Sequence, residues 1–444
     1  MTGKPRTVGL MTVGCKLNQY ETEGVAERLE KRGFVIVPFN GPADVYVVNT
    51  CTVTGRSDYR SRQMLRRAAR KEGGALVVAT GCYAQREPAA LAGMPEVDLV
   101  VGNSSKRDLA KLVDERLDAD PGRAARTDVA VKSLADEAFE AYDISRFRGY
   151  TRAFIKIQDG CDHRCAYCAV PDARGPARSR RFDDVLRQAS LLAENGYREM
   201  VLTGVHIGAF ADTDGQRLPE LLSAMAGIDS LVRIRLGSVE PRELTQALAT
   251  TILTTDKVCN HLHIPLESGS DAVLERMRRG YTRAEYAEAV RGVTDADPLC
   301  GLGTDVMVGF PGETEEDFAD TVSLIESLPF TYLHVFAFSP RSGTPAAEMD
   351  GRVAPAESKR RSLHLRELSS RLSLGFRRGL VGKSLEILVE ERDGADGPLT
   401  GLAANYVRLS TTGDASLRNR FVHVTVEGTD ETSTWGSVEP GSAR

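Results

Sequence analysis

Short apolar runs alternate along the chain with stretches whose apolar residues recur every three or four positions. TVGLMTVG (7–14), FVIVP (34–38), ADVYVVNTC (43–51), ALVVATGC (75–82) and VDLVVG (97–102) predict strands. NQYETEGVAERLEKRG (18–33), closed by Gly33, and a basic segment within 54–72 predict helices between them. This βαβ series predicts a parallel-sheet α/β domain over 1–115 with helices on both faces. Residues 116–150 are polar and rich in Ala and Asp, and predict a linker with a surface helical piece. A second rhythm fills 151–378, with strands AFIKIQ, REMVLTGV, RIRLGS, HLHIPLES, LGTDVMVGF and YLHVFAFS separated by helical patterns. Six β/α units predict a partial barrel, whose active groups gather at the carboxyl ends of its strands. SLEILVEE, NYVRLST and RFVHVTVEG, with Gly- and Asp-rich turns, predict a small β-barrel over 379–440.

At 444 residues the chain has room for about two to four domains. Its 41% hydrophobic and 27% charged residues are ordinary for a soluble globular protein. The N-terminus MTGKPRTVGLMTVGC has no apolar signal stretch, and no run of ~18 uncharged apolar residues occurs, which predicts a protein without membrane contact. Eight cysteines without an export signal predict a reducing cytoplasm, where they serve as metal ligands or free thiols. A net charge of −5 leaves nucleic-acid binding to local basic patches.

Cys161, Cys165 and Cys168 form a C-x3-C-x2-C run within KIQDGCDHRCAYCAVPDARG. Three thiolates so close can hold three irons of a [4Fe–4S] cluster and leave the fourth iron open to a chelating amine and carboxylate. The alternative is a zinc knuckle with His163 as fourth ligand, but zinc sites pair ligands from two separated segments. Cys15, Cys51 and Cys82 each follow directly on a predicted strand of the first domain. Parallel strands present their carboxyl ends at one edge, so these thiols are expected to converge on a second three-cysteine site. Three separately buried thiols are the plainer alternative. Cys259 and Cys300 match no pattern and read as core or surface thiols.

The x3/x2 spacing, with Tyr167 before the third cysteine, resembles the signature of radical S-adenosylmethionine (SAM) enzymes. With GCKLNQYETE (14–23), NTCTVT (49–54) and TGCYAQ (80–85), the whole chain resembles the methylthiotransferase family. That resemblance implies a radical SAM barrel, a C-terminal TRAM domain that helps bind RNA, and two [4Fe–4S] clusters. By position, Cys161, Cys165 and Cys168 match the ligands of the catalytic SAM cluster, and Cys15, Cys51 and Cys82 those of an auxiliary cluster. The implied reaction replaces the C2 hydrogen of an adenine with a methylthio group. One SAM methylates sulfur at the auxiliary cluster, and another yields the radical that abstracts hydrogen. The wording is similar to the branch acting on N6-threonylcarbamoyladenosine in tRNA. The isopentenyladenosine branch reads closer to GCQMN, and the ribosomal-protein aspartate branch to LGCPKN. Glu267 departs from the family, which carries Gln before SGS. The implied partners are tRNA, SAM and an electron donor such as flavodoxin or ferredoxin, serving a working monomer.

Other positions are expected to contact the cofactor: Thr203 and Gly204 after the second barrel strand, Glu267, Asp305 within a strand, and Arg341 beyond the last. Asp305 reads equally as a satisfied buried carboxylate, Arg341 as a solvated loop residue, and His261 with His263 as packing. Two basic runs adjoin the cysteine loops. One holds Arg60, Arg66, Arg67 and Arg70, with Asp58 as its single acid; the other holds Arg174, Arg178, Arg180 and Arg181. In an acidic protein such runs suggest phosphate contacts. A non-catalytic iron–sulfur RNA-binding protein built on the same ligands is the alternative from another class.

Overall fold

A computed structural model describes residues 5–71, 74–118, 127–135, 137–392 and 397–444. The first domain holds β1 (Thr7–Thr12), α1 (Lys16–Glu30), β2 (Val35–Val37), β3 (Val45–Thr50), α2 (Gly55–Ala69), β4 (Leu76–Gly81), α3 (Cys82–Arg86) and β5 (Leu99–Val101). With β6 (Asp128–Ala130) these strands make one parallel sheet in the order β2-β1-β3-β4-β5-β6. β3 and β4 are buried along their whole length, as continuous Val-rich runs covered on both faces must be.

The segment expected as a linker is more than that. It supplies β6 to the sheet, and Tyr142, Ile144 and Phe147 to the barrel core; 119–126 and 136 lie outside the described residues. Tyr142 lies against α1 where Gly24 has no side chain; a Cβ there would come within 2.3 Å of its ring. Gln188 then bonds both the N–H and the carbonyl of Ile144, at 3.1 and 2.7 Å. The stretch splints the first domain to the second. Its polar composition hid this, because only a few apolar anchors carry the contact.

The second domain contains β7 (Ala153–Lys156), the short pair β8 (Gln158–Asp159) and β9 (Arg178–Ser179), then β10 (Glu199–Thr203), β11 (Arg233–Leu236), β12 (His261–His263), β13 (Gly301–Val308) and β14 (Tyr332–Ala337). All six expected barrel strands form. They run parallel as β7-β10-β11 and β12-β13-β14, joined by a parallel bridge between Ser238 and His263. The largest hydrophobic core lies between this curved sheet and its outer helices.

A helix at Pro355–Arg378 leads into a closed barrel of β15 (Ser384–Arg392), β16 (Leu399–Ala403), β17 (Arg408–Thr411), β18 (Phe421–Thr429) and β19 (Thr434–Val438). Two of these strands, β16 and β19, were not expected from the sequence. The small barrel seals the amino-terminal end of the larger one. Arg233 and Arg235 donate to the carbonyls of Leu402, Ala403 and Ala404 at 2.9–3.0 Å, and Glu199 receives both guanidinium groups. Tyr406 and Phe421, two aromatics of this domain, face inward. Tyr406 stacks on His261 at 4.3 Å, and Phe421 is buried beneath Arg233. The exposed aromatic of this domain is Trp435.

Candidate functional site

Strand register brings the first three cysteines together. Thr12 pairs with Asn49, and Thr50 with Gly81, so Cys15, Cys51 and Cys82 all leave the same sheet edge. Gly14, at φ +109°, lets the first loop close on the second: a Cβ there would lie 2.7 Å from the Cβ of Cys51. Asn18 holds this junction, donating to the carbonyls of Val13 and Thr50 at 2.8 and 3.1 Å. Burial pushes the Cys51 thiol up to about 11, with the Cys82 and Cys15 thiols adding to the shift.

Cys161, Cys165 and Cys168 lie in the loop after β7 and β8, at the carboxyl edge of the partial barrel. Gly160, at φ +69°, packs so tightly on this loop's return that a Cβ would lie 1.9 Å from the carbonyl of Pro176. Arg279 donates to the Cys165 sulfur at 3.3 Å, and the Val170 N–H points at the Cys168 sulfur at 3.4 Å. Burial pushes the Cys168 thiol up to about 12. His163 and His206 offer ring nitrogens within 4.8 Å of Cys161, but His206 is also held by Glu243.

The two cysteine sets are tied to one short helix, Val170–Arg174. Its Arg174 reaches Asn18 at 2.7 Å, Glu21 at 2.9 Å and Asp159 at 3.0 Å. Asn103 donates to the carbonyl of Ala173 at 2.8 Å, with its amide 3.7 Å from the Cys82 sulfur. Glu21 also takes Lys106 at 2.6 Å and Lys156 at 3.0 Å, and Lys156 reaches Asp159 at 2.6 Å. Burial alone would raise Glu21, but Arg174, Lys106 and Lys156 hold it well below the usual carboxylate range. Sequence reasoning missed this network, although Asn18 and Glu21 lie inside GCKLNQYETE.

Several expected contacts take other roles. Arg180 is 1% exposed and spent on Asp184 and Tyr20, so it is not available to RNA. Arg174 is equally internal, and Arg178 is turned toward Asp159 and the carbonyl of Arg174. Arg341 is not a free rim residue. It is buried and donates to Asp58 at 2.5 Å and to Thr52 at 2.8 Å, fastening the barrel to α2 beside Cys51. That accounts for the one acid in the basic helix. Arg60, Arg67 and Arg70 remain exposed, whereas Arg66 is half-buried with Glu96 at 3.6 Å.

Thr203 ends β10, and Gly204 abuts Gln158, whose carbonyl would sit 2.9 Å from an added Cβ. Tyr167 packs beside Ala166, Met277 and Phe310. Asp305 accepts from His263 and His334, each at 3.2 Å, and these imidazoles hold it below the usual range against the effect of burial. Cys259 and Cys300 are buried.

Glu267 has a left-handed backbone, φ 63°, pinned between the N–H of Met307 and the carbonyl of Asp305. Such strain is tolerated where the surroundings over-determine it. Burial raises its carboxyl to about 7, helped by Asp305 and Glu240 and opposed by Arg279 and a hydrogen bond from Tyr167. The shift makes the folded chain lose stability as pH rises from 4.5 through about 7. Moving one carboxyl that far corresponds to about 3 kcal/mol. Glu267→Gln is expected to abolish that loss; anaerobic denaturation at about pH 5 and about pH 8 reads it. The same pH dependence in both proteins would refute the assignment.

A six-stranded parallel partial barrel with a C-x3-C-x2-C loop at its carboxyl edge defines a radical SAM protein. Residues 155–325 match the Radical SAM superfamily, and residues 7–102 match the group described as Uncharacterized protein family UPF0004. The chain is 37% identical to the threonylcarbamoyladenosine tRNA methylthiotransferase MtaB of Bacillus subtilis, over 95% of this chain and 93% of that one. It is also 37% identical to the protein of that name from Aquifex aeolicus, over 91% and 97%. Identity to the tRNA-2-methylthio-N(6)-dimethylallyladenosine synthase of Parafrankia sp. is 36%, over 98% and 86%. The chain belongs to the radical SAM methylthiotransferase family. Among solved structures, the radical SAM methyltransferase TsrM of Kitasatospora setae shares the fold, with a TM-score of 0.59 at 16% identity over 78% of this chain and 77% of that one. Membership brings SAM and a [4Fe–4S] cluster. No helix among the described residues is long and apolar enough to cross a membrane.

Proposed function

We propose that this chain is the methylthiotransferase of N6-threonylcarbamoyladenosine, acting at C2 of that base beside the anticodon of tRNA. The observation that carries this reading is the pair of three-cysteine sites tied to one helix, in a chain whose relatives include threonylcarbamoyladenosine tRNA methylthiotransferases.

The donor chemistry suits iron–sulfur clusters. The first set offers thiols alone, the second has three thiols with His206 drawn off to Glu243, and N–H groups point at the sulfurs of Cys82, Cys165 and Cys168, as donors do around cluster thiolates. Cys161, Cys165 and Cys168 would hold the SAM cluster, and Cys15, Cys51 and Cys82 the auxiliary one. When bound, the clusters supply the electron for SAM cleavage and the site at which sulfur is carried. Three ligands rather than four leave SAM a place to chelate. Tyr167, Thr203, Gly204 and Glu267 border that place, and Asp305 belongs to the wall met by the base.

The exposed face of α2, with Arg60, Arg67 and Arg70 and the exposed Tyr59, meets tRNA phosphate and a stacked base. A nucleotide in the anticodon loop can be splayed into the barrel without melting a duplex. A flavodoxin- or ferredoxin-class protein supplies electrons, and the chain works as a monomer.

Mass spectrometry of tRNA nucleosides from a strain lacking this gene, beside the complemented strain, tests the reading. Loss and rescue of 2-methylthio-N6-threonylcarbamoyladenosine is the expected result. Loss of the isopentenyl analogue instead would move the enzyme to the other tRNA branch. No change in any tRNA nucleoside would point to the ribosomal-protein substrate or to the non-catalytic alternative.

A further inference from the structure

Beside the partial barrel, Lys16 has no carboxylate in contact among the described residues; Glu199, already taken by Arg233 and Arg235, acts on it only at longer range. Lys16 follows Cys15 and opens α1; it is half-buried, and among the described residues its Nζ has no hydrogen-bond or carboxylate partner. The fully buried cations are matched, for example Lys106 and Lys156 by Glu21, Arg233 and Arg235 by Glu199, and Arg279 by Glu240. An ammonium partly withdrawn from water without a counter-charge is costly, and a ligand that brings an anion relieves that cost.

The surroundings of Lys16 form a polar wall. Its ammonium lies 6.0 Å from the centre of the Tyr406 ring, which stacks on His261. Tyr332 Oη lies 2.9 Å from His261 Nε2 and 3.2 Å from His263 Nδ1. His263 leads on to Asp305 and His334, and the exposed Phe336 follows on the same face of β14. The wall therefore has a cation near Cys15 at one end and an aromatic surface at the other.

The chemistry of the proposed substrate fits that order. The inference rests on the reading that the base is N6-threonylcarbamoyladenosine, whose arm ends in a carboxylate; an isopentenyl arm carries none. In adenine, C2 and C6 flank the same ring nitrogen, so an N6 arm begins one ring atom from the reacting carbon. A base that presents C2 toward Cys15 must lay its arm among the residues next to Cys15. We propose that Lys16 pairs with the carboxylate of the N6 arm and sets the preference for an anionic substituent. A neutral arm leaves the ammonium unanswered, which is how a polar site rejects an analogue lacking the matching group.

The test compares two anticodon stem–loop RNAs, one bearing the threonylcarbamoyl arm as its carboxylate and one as its carboxamide. With the reconstituted enzyme, the carboxylate RNA is expected to have a kcat/KM about 10- to 100-fold higher, carried by KM, the range of one charge-assisted hydrogen bond. In Lys16→Gln the ratio falls to near one, and Lys16→Arg restores most of it. Because the ratio is taken within each protein, partial loss of active enzyme cancels. A wild-type enzyme indifferent to the carboxylate, or a Lys16→Gln enzyme that keeps the wild-type ratio, overturns the assignment. An enzyme that modifies isopentenyl RNA and neither of these overturns the substrate reading itself, and the role of Lys16 with it.

Discussion

Changing Cys15, Cys51 and Cys82 together to alanine is expected to take bound iron from roughly eight atoms per chain to roughly four. Methylthio transfer should vanish with it. The sheet edge explains why the loss should be all-or-none: the three cysteines leave adjacent strands at matched register, so none has a substitute nearby. The converse triple, Cys161, Cys165 and Cys168, should also lose roughly half the iron, and with it the ability to cleave SAM. Iron analysis and low-temperature electron paramagnetic resonance on anaerobically reconstituted protein give the answer. A native chain that holds only roughly four irons, or a first triple that keeps all of its iron, would end the two-cluster reading.

Replacing Glu21 with alanine is the second large expected effect, and it acts on stability. Three cations, Arg174, Lys106 and Lys156, would be left in the interior around a missing carboxylate. Breaking one buried pair costs about 3–5 kcal/mol. With Asp159 left to Lys156 and Arg174 and no carboxylate left to Lys106 among the described residues, the loss should reach at least that range. The pH dependence has a definite sign. Glu21 is held below its ordinary value of 4.5, so its contribution is fully present above about 4.5 and is lost as pH falls through the lower folded value. Urea denaturation across the acid range should therefore show native and Glu21→Ala chains converging at low pH. Curves that stay parallel, or a loss below about 1 kcal/mol at neutral pH, would show that the carboxylate carries no such load.

The repeated apolar runs predict both parallel sheets, and the cysteine after each of three strands of the first sheet places Cys15, Cys51 and Cys82 at one edge, while Cys161, Cys165 and Cys168 are legible only from their own spacing. Strand periodicity is local, and parallel topology does the rest. Position along the sequence could not say which charges face water. Arg60 and Arg180 both sit in basic runs beside a cysteine loop, yet one is exposed and the other closes a buried pair with Asp184. Asp58 stands as a single acid in its basic run because its partner, Arg341, lies far along the chain. The linker misled for a related reason: Tyr142 and Ile144 are two anchors in a polar stretch, and their partners on α1 and in Gln188 are distant in sequence.

The helix at Val170–Arg174 also limits how the molecule can move. It is five residues long, continues directly from the Cys168 loop, and is clamped to the first domain through Asn18, Glu21 and Asn103. A segment that short has no spare length to pay out, and its ion pairs lie where water cannot replace them. The separation between the two sets of thiols is therefore a fixed dimension of the protein. If both sets take part in one reaction, as proposed above, a fixed spacing between them leaves the bound molecules, rather than the two domains, to do the moving.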